Sequence, residues 1–95
     1  MHKFTYINQI EDRNVKVGDH FFNKDAQRFF NSRILSEVYN GQYFITSEQF
    51  AQEPRLYTVR RIDAGGSIRT VSEFQGFKTI AQARAFARVQ EPKED

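Results

Sequence analysis

The chain of 95 residues contains no cysteine, which excludes disulfide bonds, zinc–thiolate sites and cysteine nucleophiles. Its two histidines are too few to predict a transition-metal site without thiolates. No apolar run approaches the roughly 18 residues that suggest a membrane span, and the N-terminal residues lack the apolar core of a signal peptide. We therefore expect a soluble, cytoplasmic protein without metal, cofactor or membrane association.

Catalytic motifs are also missing from the sequence. No Gly-x-Ser-x-Gly, Walker, Gly-x-Gly-x-x-Gly, EF-hand or His-Glu-x-x-His pattern occurs. His2 lies at the chain terminus, which leaves His20 beside Asp19 as the only credible general base. We predict that the protein is not an enzyme, and we keep a small enzyme or ligand-binding module using His20 and Asp19 as an alternative.

Aromatic residues are abundant, since ten Phe and four Tyr raise their share to 15%. Large aromatic side chains each bury much area, so a compact core can form. The length fits one domain over residues 1–95. Within it, residues 1–20 give a weak pattern that allows two short strands with a turn between them, and residues 90–95 are expected to fray.

A short helix is predicted before the first strand. Phe22, Ala26, Phe29 and Phe30 recur at the spacing of one helical face. The helix would begin at Asn23 or Asp25, either of which could cap it, and end at Asn31.

The strongest local signal is a hairpin with residues 32–39 and 42–47 as its arms. Asn40-Gly41 suits a two-residue type I′ turn, in which both central residues have positive φ. In that register Leu35 opposes Thr46. The two predicted faces would hold, respectively, Ile34, Val38, Tyr43 and Ile45, and Leu35, Tyr39 and Phe44.

A second hairpin and a helix are predicted to follow. Leu56–Ile62 and residues 68–74 would pair through the glycine-containing loop 64–66. Thr79 and Gln82 match a capping box that begins a helix, whose apolar face contains Ile80, Ala83, Phe86 and Ala87. The predicted fold is α+β: an antiparallel meander of about four strands, a short N-terminal helix and a C-terminal amphipathic helix packed on the sheet.

Two groups of basic residues are candidate binding sites. Residues 55–88 carry seven positive and two negative side chains, and such a stretch can attract nucleic acid or an acidic protein. Here Arg60, Arg61 and Arg69 interleave with aromatic residues, as in single-strand nucleic-acid binders, although aromatics at strand spacing are also typical of a core. Arg28, Ser32 and Arg33 could instead present a polar surface to a partner, although an ordinary ion pair with Asp25 also explains Arg28.

The chain resembles small uncharacterised proteins encoded by bacteriophages, plasmids and other mobile elements. The resemblance covers about three-quarters of the chain, from residue 21 onward. It rests on the segments 22–33, 43–49, 55–60, 68–71 and 74–77 and on the Ala-rich helix.

Such accessory proteins often bind a host protein or a protein–nucleic acid complex, for example to inhibit a defence system. The resemblance therefore implies a non-enzymatic binder of a host macromolecule, most simply a protein, in the host cytoplasm. Our first hypothesis places this function on exposed residues of the sheet and on the Arg28 to Arg33 segment, with Arg28, Ser32 and Arg33 as its polar contacts. The alternative is nucleic-acid binding through Arg60, Arg61 and Arg69.

Overall fold

A computed structural model describes residues 3–93 of the chain. Met1, His2, Glu94 and Asp95 lie outside the described residues, so the predictions for both chain ends are only partly addressed. The helices are α1 (Ile7–Lys16), α2 (Lys24–Phe29) and α3 (Ile80–Arg88), and the strands are β1 (Ser32–Ile34), β2 (Tyr43–Glu48), β3 (Leu56–Ile62) and β4 (Ile68–Thr70).

The four strands form one antiparallel sheet in the order β1-β2-β3-β4. Strands β2 and β3 form its centre, with six paired positions from Tyr43↔Arg61 to Glu48↔Leu56. Helix α3 packs against these two central strands. The α+β class, the four-strand meander, the short N-terminal helix and the C-terminal helix are therefore confirmed.

Strands were predicted near the N-terminus, and this prediction is wrong because the segment forms helix α1. The Gln9 side chain accepts hydrogen bonds from the backbone N–H groups of Thr5 and Tyr6, which stabilises the start of the helix. Ile10 and Asn14, one turn apart, are both fully buried. The remaining α1 positions are polar enough that the helical period is weak in the sequence.

The register predicted for the first hairpin is also wrong. Ile34, and not Leu35, lies opposite Thr46. Asn40 and Gly41 both have positive φ as predicted, but the loop closes between Tyr39 and Tyr43, which exchange backbone hydrogen bonds of 2.7 and 2.9 Å. A shift of one residue exchanges the faces of a strand, so the predicted face assignments of the first arm are reversed.

The second hairpin forms with a shorter second arm than predicted. Strand β4 ends at Thr70, and the turn is held by Asp63, whose side-chain Oδ1 accepts from the Ser67 N–H at 3.0 Å. The chain leaves the ladder after Val71, and Phe77 then pairs with Tyr57. Residues 72–76 therefore form a loop beside the sheet.

The helix caps follow the predicted chemistry. Asn23 caps α2 by accepting the Ala26 N–H at 3.0 Å, which decides between the two predicted caps. Thr79 caps α3 by accepting the Gln82 N–H at 3.2 Å.

The sheet separates two apolar clusters. On the α3 side, Tyr43, Ile45 and Val59 pack under Ala83 and Ala87. On the opposite side, Ile10 of α1 and Phe22 cover Phe44 and Ile62. We call these the α3 face and the α1/α2 face.

The last described residues are bonded to the sheet rather than frayed. The Tyr43 hydroxyl donates to the Glu91 carbonyl at 2.6 Å. Gln42 donates to the Lys93 carbonyl at 2.6 Å and accepts from its N–H at 2.8 Å. The expected fraying of residues 90–95 is therefore not observed for the part up to Lys93.

Candidate binding pocket

One half of the α1/α2 face is left open as a pocket. Side chains on alternate positions of a strand share a face, so Glu48 of β2 and Arg60 of β3 lie on the same side of the sheet as the covered Phe44. Beyond Phe44 and Ile62, however, neither α1 nor α2 covers the strands completely. The resulting pocket has a volume of about 340 Å³ and is lined by His20, Phe21, Ala26, Gln27, Phe30, Ser32, Ile34, Glu48, Arg60 and Phe74.

Arg60 occupies one wall of this pocket between two aromatic rings. Its guanidinium carbon lies 5.4 Å from the centre of the Phe21 ring and 5.6 Å from that of Phe74, within the range of cation–π contact. Nε donates to Thr46 Oγ1 at 3.1 Å, and Nη1 donates to Thr70 Oγ1 at 2.5 Å. Burial lowers the pKa of Arg60, and the nearby Glu48 carboxylate partly opposes that shift.

Glu48 contributes a buried carboxylate that is only half satisfied. The residue is 3% exposed. Oε1 accepts from the Thr58 hydroxyl at 3.3 Å and lies 3.8 Å from Nη2 of Arg60. Oε2 is buried and finds no hydrogen-bond partner among residues 3–93. A buried acceptor without a donor is unfavourable by roughly 1–3 kcal/mol.

Exposed phenylalanines lie around the mouth of the pocket. Phe30 and Phe74 line it and are both exposed at the surface, while Phe29 is 81% exposed. The Phe30 ring packs edge-on against Phe29 and Phe50, with centroid distances of 4.9 and 6.3 Å. We call Phe29, Phe30, Phe50 and Phe74 the aromatic rim. The predicted apolar face of α2 therefore buries Phe22 but leaves Phe29 and Phe30 in solvent.

Arg28, Ser32 and Arg33 do not form one surface in the structure. Arg28 is highly exposed on α2, 3.6 Å from the Asp25 carboxylate. Ser32 lines the pocket. Arg33 is exposed on β1, and strand alternation directs its side chain toward the α3 face. Arg28 and Ser32 thus lie on the pocket side of the sheet, and Arg33 lies on the other.

Arg60, Arg61 and Arg69 are likewise divided between environments. Arg60 belongs to the pocket wall, while the neighbouring Arg61 is buried with its side chain on the opposite face. Arg69 pairs with Arg61 across the strands and donates to Asp63 Oδ2 at 2.7 Å. The three arginines therefore do not combine into one exposed basic surface.

The Asp63 carboxylate forms an ion pair with Arg69 inside the protein. Burial favours the neutral form and raises the pKa of Asp63. Hydrogen bonds from the Ser67 N–H and from Arg69 lower the pKa and outweigh the effect of burial, so that the pKa lies below its ordinary value. The carboxylate is thus held ionised beside Arg69, and the pair stabilises the β3–β4 turn.

Asp19 has a structural role in the described chain. Its Oδ2 accepts hydrogen bonds from the Asn14 side chain at 3.0 Å and from the Ile68 N–H at 3.2 Å. Asn14 also donates to the Gly66 carbonyl and accepts the Phe21 N–H. These bonds fix the segment that carries His20 and Phe21 into the pocket.

Two further findings concern the part of the chain from residue 3 to residue 93. Its single histidine and its carboxylates nowhere form a group of three that could hold a metal ion. None of its three helices combines the length and apolar character needed to cross a membrane.

Comparison with known proteins places the chain in a family. The family of unknown function DUF7447 matches residues 6–88. No curated protein and no solved structure matches the chain. Because the family match covers most of the chain, the protein belongs to DUF7447. The match includes α1, which lies outside the segment that suggested mobile-element proteins, and it carries no information on a phage or plasmid origin.

Proposed function

We propose that this member of the DUF7447 family is a non-enzymatic module that binds a partner protein through the pocket and its aromatic rim. The observation that supports the proposal is the exposure of four phenylalanines around one concave site. Contiguous exposed apolar surface is unfavourable in water and commonly marks an interaction site. Aromatic residues are also enriched in the centres of protein interfaces.

The arginines favour a protein over a nucleic acid as the partner. A nucleic-acid binder neutralises several phosphates with accessible basic side chains. Arg61 is buried, the Arg60 side chain is only 12% exposed, and Arg69 is bonded to Asp63. Arg28 lies on the helix that carries Phe29 and can extend the proposed surface, whereas Arg33 faces away from it.

The resemblance to mobile-element accessory proteins suggests the class of partner. We propose a bacterial host protein in the cytoplasm, with inhibition of a host defence complex as the more specific form of the hypothesis. Binding at an open pocket requires no chemical step, in agreement with the absence of a catalytic motif in the sequence.

Affinity capture from bacterial lysate with matched variants tests this proposal. We expect the wild type and Val89→Ser to retain the same defined protein and Phe29→Ser to lose it. Val89 is a suitable control because it is nearly as exposed as Phe29, at 75% against 81%, but lies at the end of α3. Each capture is run with and without nuclease.

The outcomes separate the two partner classes. Retention that is independent of nuclease and dependent on Phe29 supports a protein partner at the aromatic rim. Retention that collapses with nuclease would favour nucleic acid. Equal capture by Phe29→Ser and the wild type would contradict the proposed surface.

A further inference from the structure

The two edges of the sheet differ in how their backbone groups are bonded. At the β4 edge, the Ile68 N–H donates to Asp19 Oδ2 at 3.2 Å, so the segment that carries Asp19 covers part of this edge. At the β1 edge, the outward backbone groups have no such partner.

The direction of the β1 backbone groups follows from one hydrogen bond. Residues of an antiparallel ladder direct their N–H and C=O groups alternately toward the neighbouring strand and away from it. The Leu35 N–H donates to the Ile45 carbonyl of β2 at 2.9 Å, so Ser32 and Ile34 direct their groups outward. These outward groups make no hydrogen bond within residues 3–93, and such an edge can pair with another chain.

The β1 edge is basic on the α3 side. Arg33 is exposed, and its guanidinium forms no hydrogen bond or ion pair within the described chain. Ser47 lies opposite Arg33, and its hydroxyl accepts from Arg55 Nη1 at 2.9 Å, so a second cation lies close by. The next carboxylate along the chain, Glu37, is bonded to Arg84. An acidic side chain placed opposite Arg33 would therefore be attracted.

The same edge presents one apolar and one hydroxyl side chain on the pocket side. Ile34 and Ser32 both line the pocket, while strand alternation places Arg33 on the other face. A strand added beside β1 would follow the same alternation. An apolar residue fits opposite Ile34, and a threonine opposite Ser32 can form a cross-strand hydrogen bond between hydroxyl groups.

Charge disfavours a second copy of this chain at the β1 edge. Two copies related by a two-fold axis present the same surface to each other. Pairing Ser32 of one copy with Ile34 of the other uses all the outward groups, but it places the two Arg33 side chains directly opposite each other. Like charges at opposed positions of neighbouring strands are destabilising, whereas an acidic residue at that position is stabilising.

We infer that β1 receives an extended segment of the partner protein as an antiparallel fifth strand, with an acidic residue opposite Arg33. An apolar residue precedes the acid, opposite Ile34, and a threonine or serine follows it, opposite Ser32. This inference rests on the proposed function and specifies the conformation and sequence pattern of the partner segment. In recognition of this kind, main-chain hydrogen bonds provide affinity and alternate side chains provide specificity.

A capped peptide with the sequence Thr-Val-Glu-Thr-Thr tests the strand pairing without the partner. In amide NMR titrations of the full chain, the signals of Ser32 and Ile34 should shift to saturation, and that of Ile68 at the β4 edge should not. Methylation of the peptide nitrogen of the valine removes a donor to β1 and should abolish the shifts. Methylation of the glutamate nitrogen should leave them, because that N–H points away from β1 in the antiparallel pairing.

A charge exchange tests the position of the acidic residue. Replacing the peptide glutamate by lysine should weaken binding to the wild type by roughly fivefold, since an opposed pair of unlike charges becomes a pair of like charges. Arg33→Glu should reverse this preference. Lys78→Glu is the matched control, because Lys78 is exposed in the loop before α3, and it should keep the preference of the wild type. Amide spectra establish that both variants are folded.

The results distinguish this inference from the proposed function. No saturable binding, equal effects of the two methylations, or an unchanged preference in Arg33→Glu would overturn the fifth strand, even if a Phe29-dependent partner is captured. Shifts of the Ser32 and Ile34 signals on dilution of the protein alone would assign the edge to a second copy and would also overturn it. Binding with the expected methylation pattern and charge reversal would support the strand pairing even if no protein partner were captured.

Discussion

The two faces of the sheet are covered to different extents. On the α3 face, Tyr43, Ile45 and Val59 are completely buried beneath two alanines of the helix. Alanine allows the helix backbone to approach the sheet closely, so this face is closed over the central strands, and a second pocket of about 380 Å³ lies only beside them, at Val71, Phe77 and Phe86. On the α1/α2 face, the cover reaches Phe44 and Ile62 but leaves Glu48 and the aromatic rim at an open pocket.

The difference indicates a division of roles between the faces. The closed face buries apolar side chains and should provide most of the stability. The open half carries features that are unfavourable for the isolated protein, namely exposed phenylalanines and a carboxylate oxygen without a donor. The exposed phenylalanines are understandable where a partner covers them.

The largest effect on stability should come from the closed face. Ile45→Ala removes a fully buried side chain from the central strand and should lower the free energy of unfolding by about 2–5 kcal/mol. Phe29→Ala, at the rim, should change it by no more than about 0.5 kcal/mol. Urea unfolding measures both values. A destabilisation by Phe29→Ala comparable to that of Ile45→Ala would contradict the division of roles between the two faces.

An intermediate effect on stability is expected from Asn14, which holds the covered end of the α1/α2 face in place through its hydrogen bonds. Asn14→Ala removes the bonds to Asp19, the Gly66 carbonyl and the Phe21 N–H. The loss should be about 1–3 kcal/mol, because the Gly66 carbonyl and the Phe21 N–H each lose a hydrogen bond, while Asp19 keeps the one from the Ile68 N–H. Asn8→Ala, on the exposed side of the same helix, is the control in the same urea experiment, and an equal loss in both variants would exclude the assigned role of Asn14.

The smallest effect should come from a charged pair at the edge of the α3 face. Arg84 donates two hydrogen bonds to Glu37 Oε1, and chiefly for this reason the pKa of Glu37 is lowered. The stabilisation is thus present above the ordinary pKa of glutamate and is lost as the pH falls through the lower pKa of the folded state. Both partners are partly exposed, which keeps the effect small.

The test compares urea midpoints of the wild type and Glu37→Gln between neutral and acidic pH. The wild type should be slightly more stable at neutral pH, and the difference should disappear on acidification. Glu53→Gln should differ from the wild type at neither pH. A difference that grows toward acidic pH would show that the sign of the linkage is wrong.

Local chemistry predicted much of the fold. The positive φ values of Asn40 and Gly41 and the caps at Asn23 and Thr79 follow from side-chain and backbone properties that are visible in the sequence. The predicted hairpin register was wrong because the loop closes between Tyr39 and Tyr43. This register depends on how the side chains pack on both faces of the sheet. Helix α1 was missed because its key buried residue is polar, and Asn14 finds its partners up to 52 positions away in the chain.

The pocket was less accessible to prediction. Alternation along β2 places Glu48 on the side of Phe44 and Thr46, which a sequence pattern could have indicated. The pocket, however, is completed by Phe21 and Phe74, which come from distant parts of the chain. Carboxylates at strand ends are usually solvated, so only the three-dimensional arrangement distinguishes Glu48 from the other acidic residues.

The most direct test of a binding role for the open half is hydrogen–deuterium exchange of the protein alone and in complex with the captured partner. We predict slower exchange in residues 20–34 and 70–77, which surround the pocket, and unchanged exchange in residues 80–93 of the α3 side. Protection confined to α3, with the pocket segments unchanged, would contradict the assignment of the binding surface.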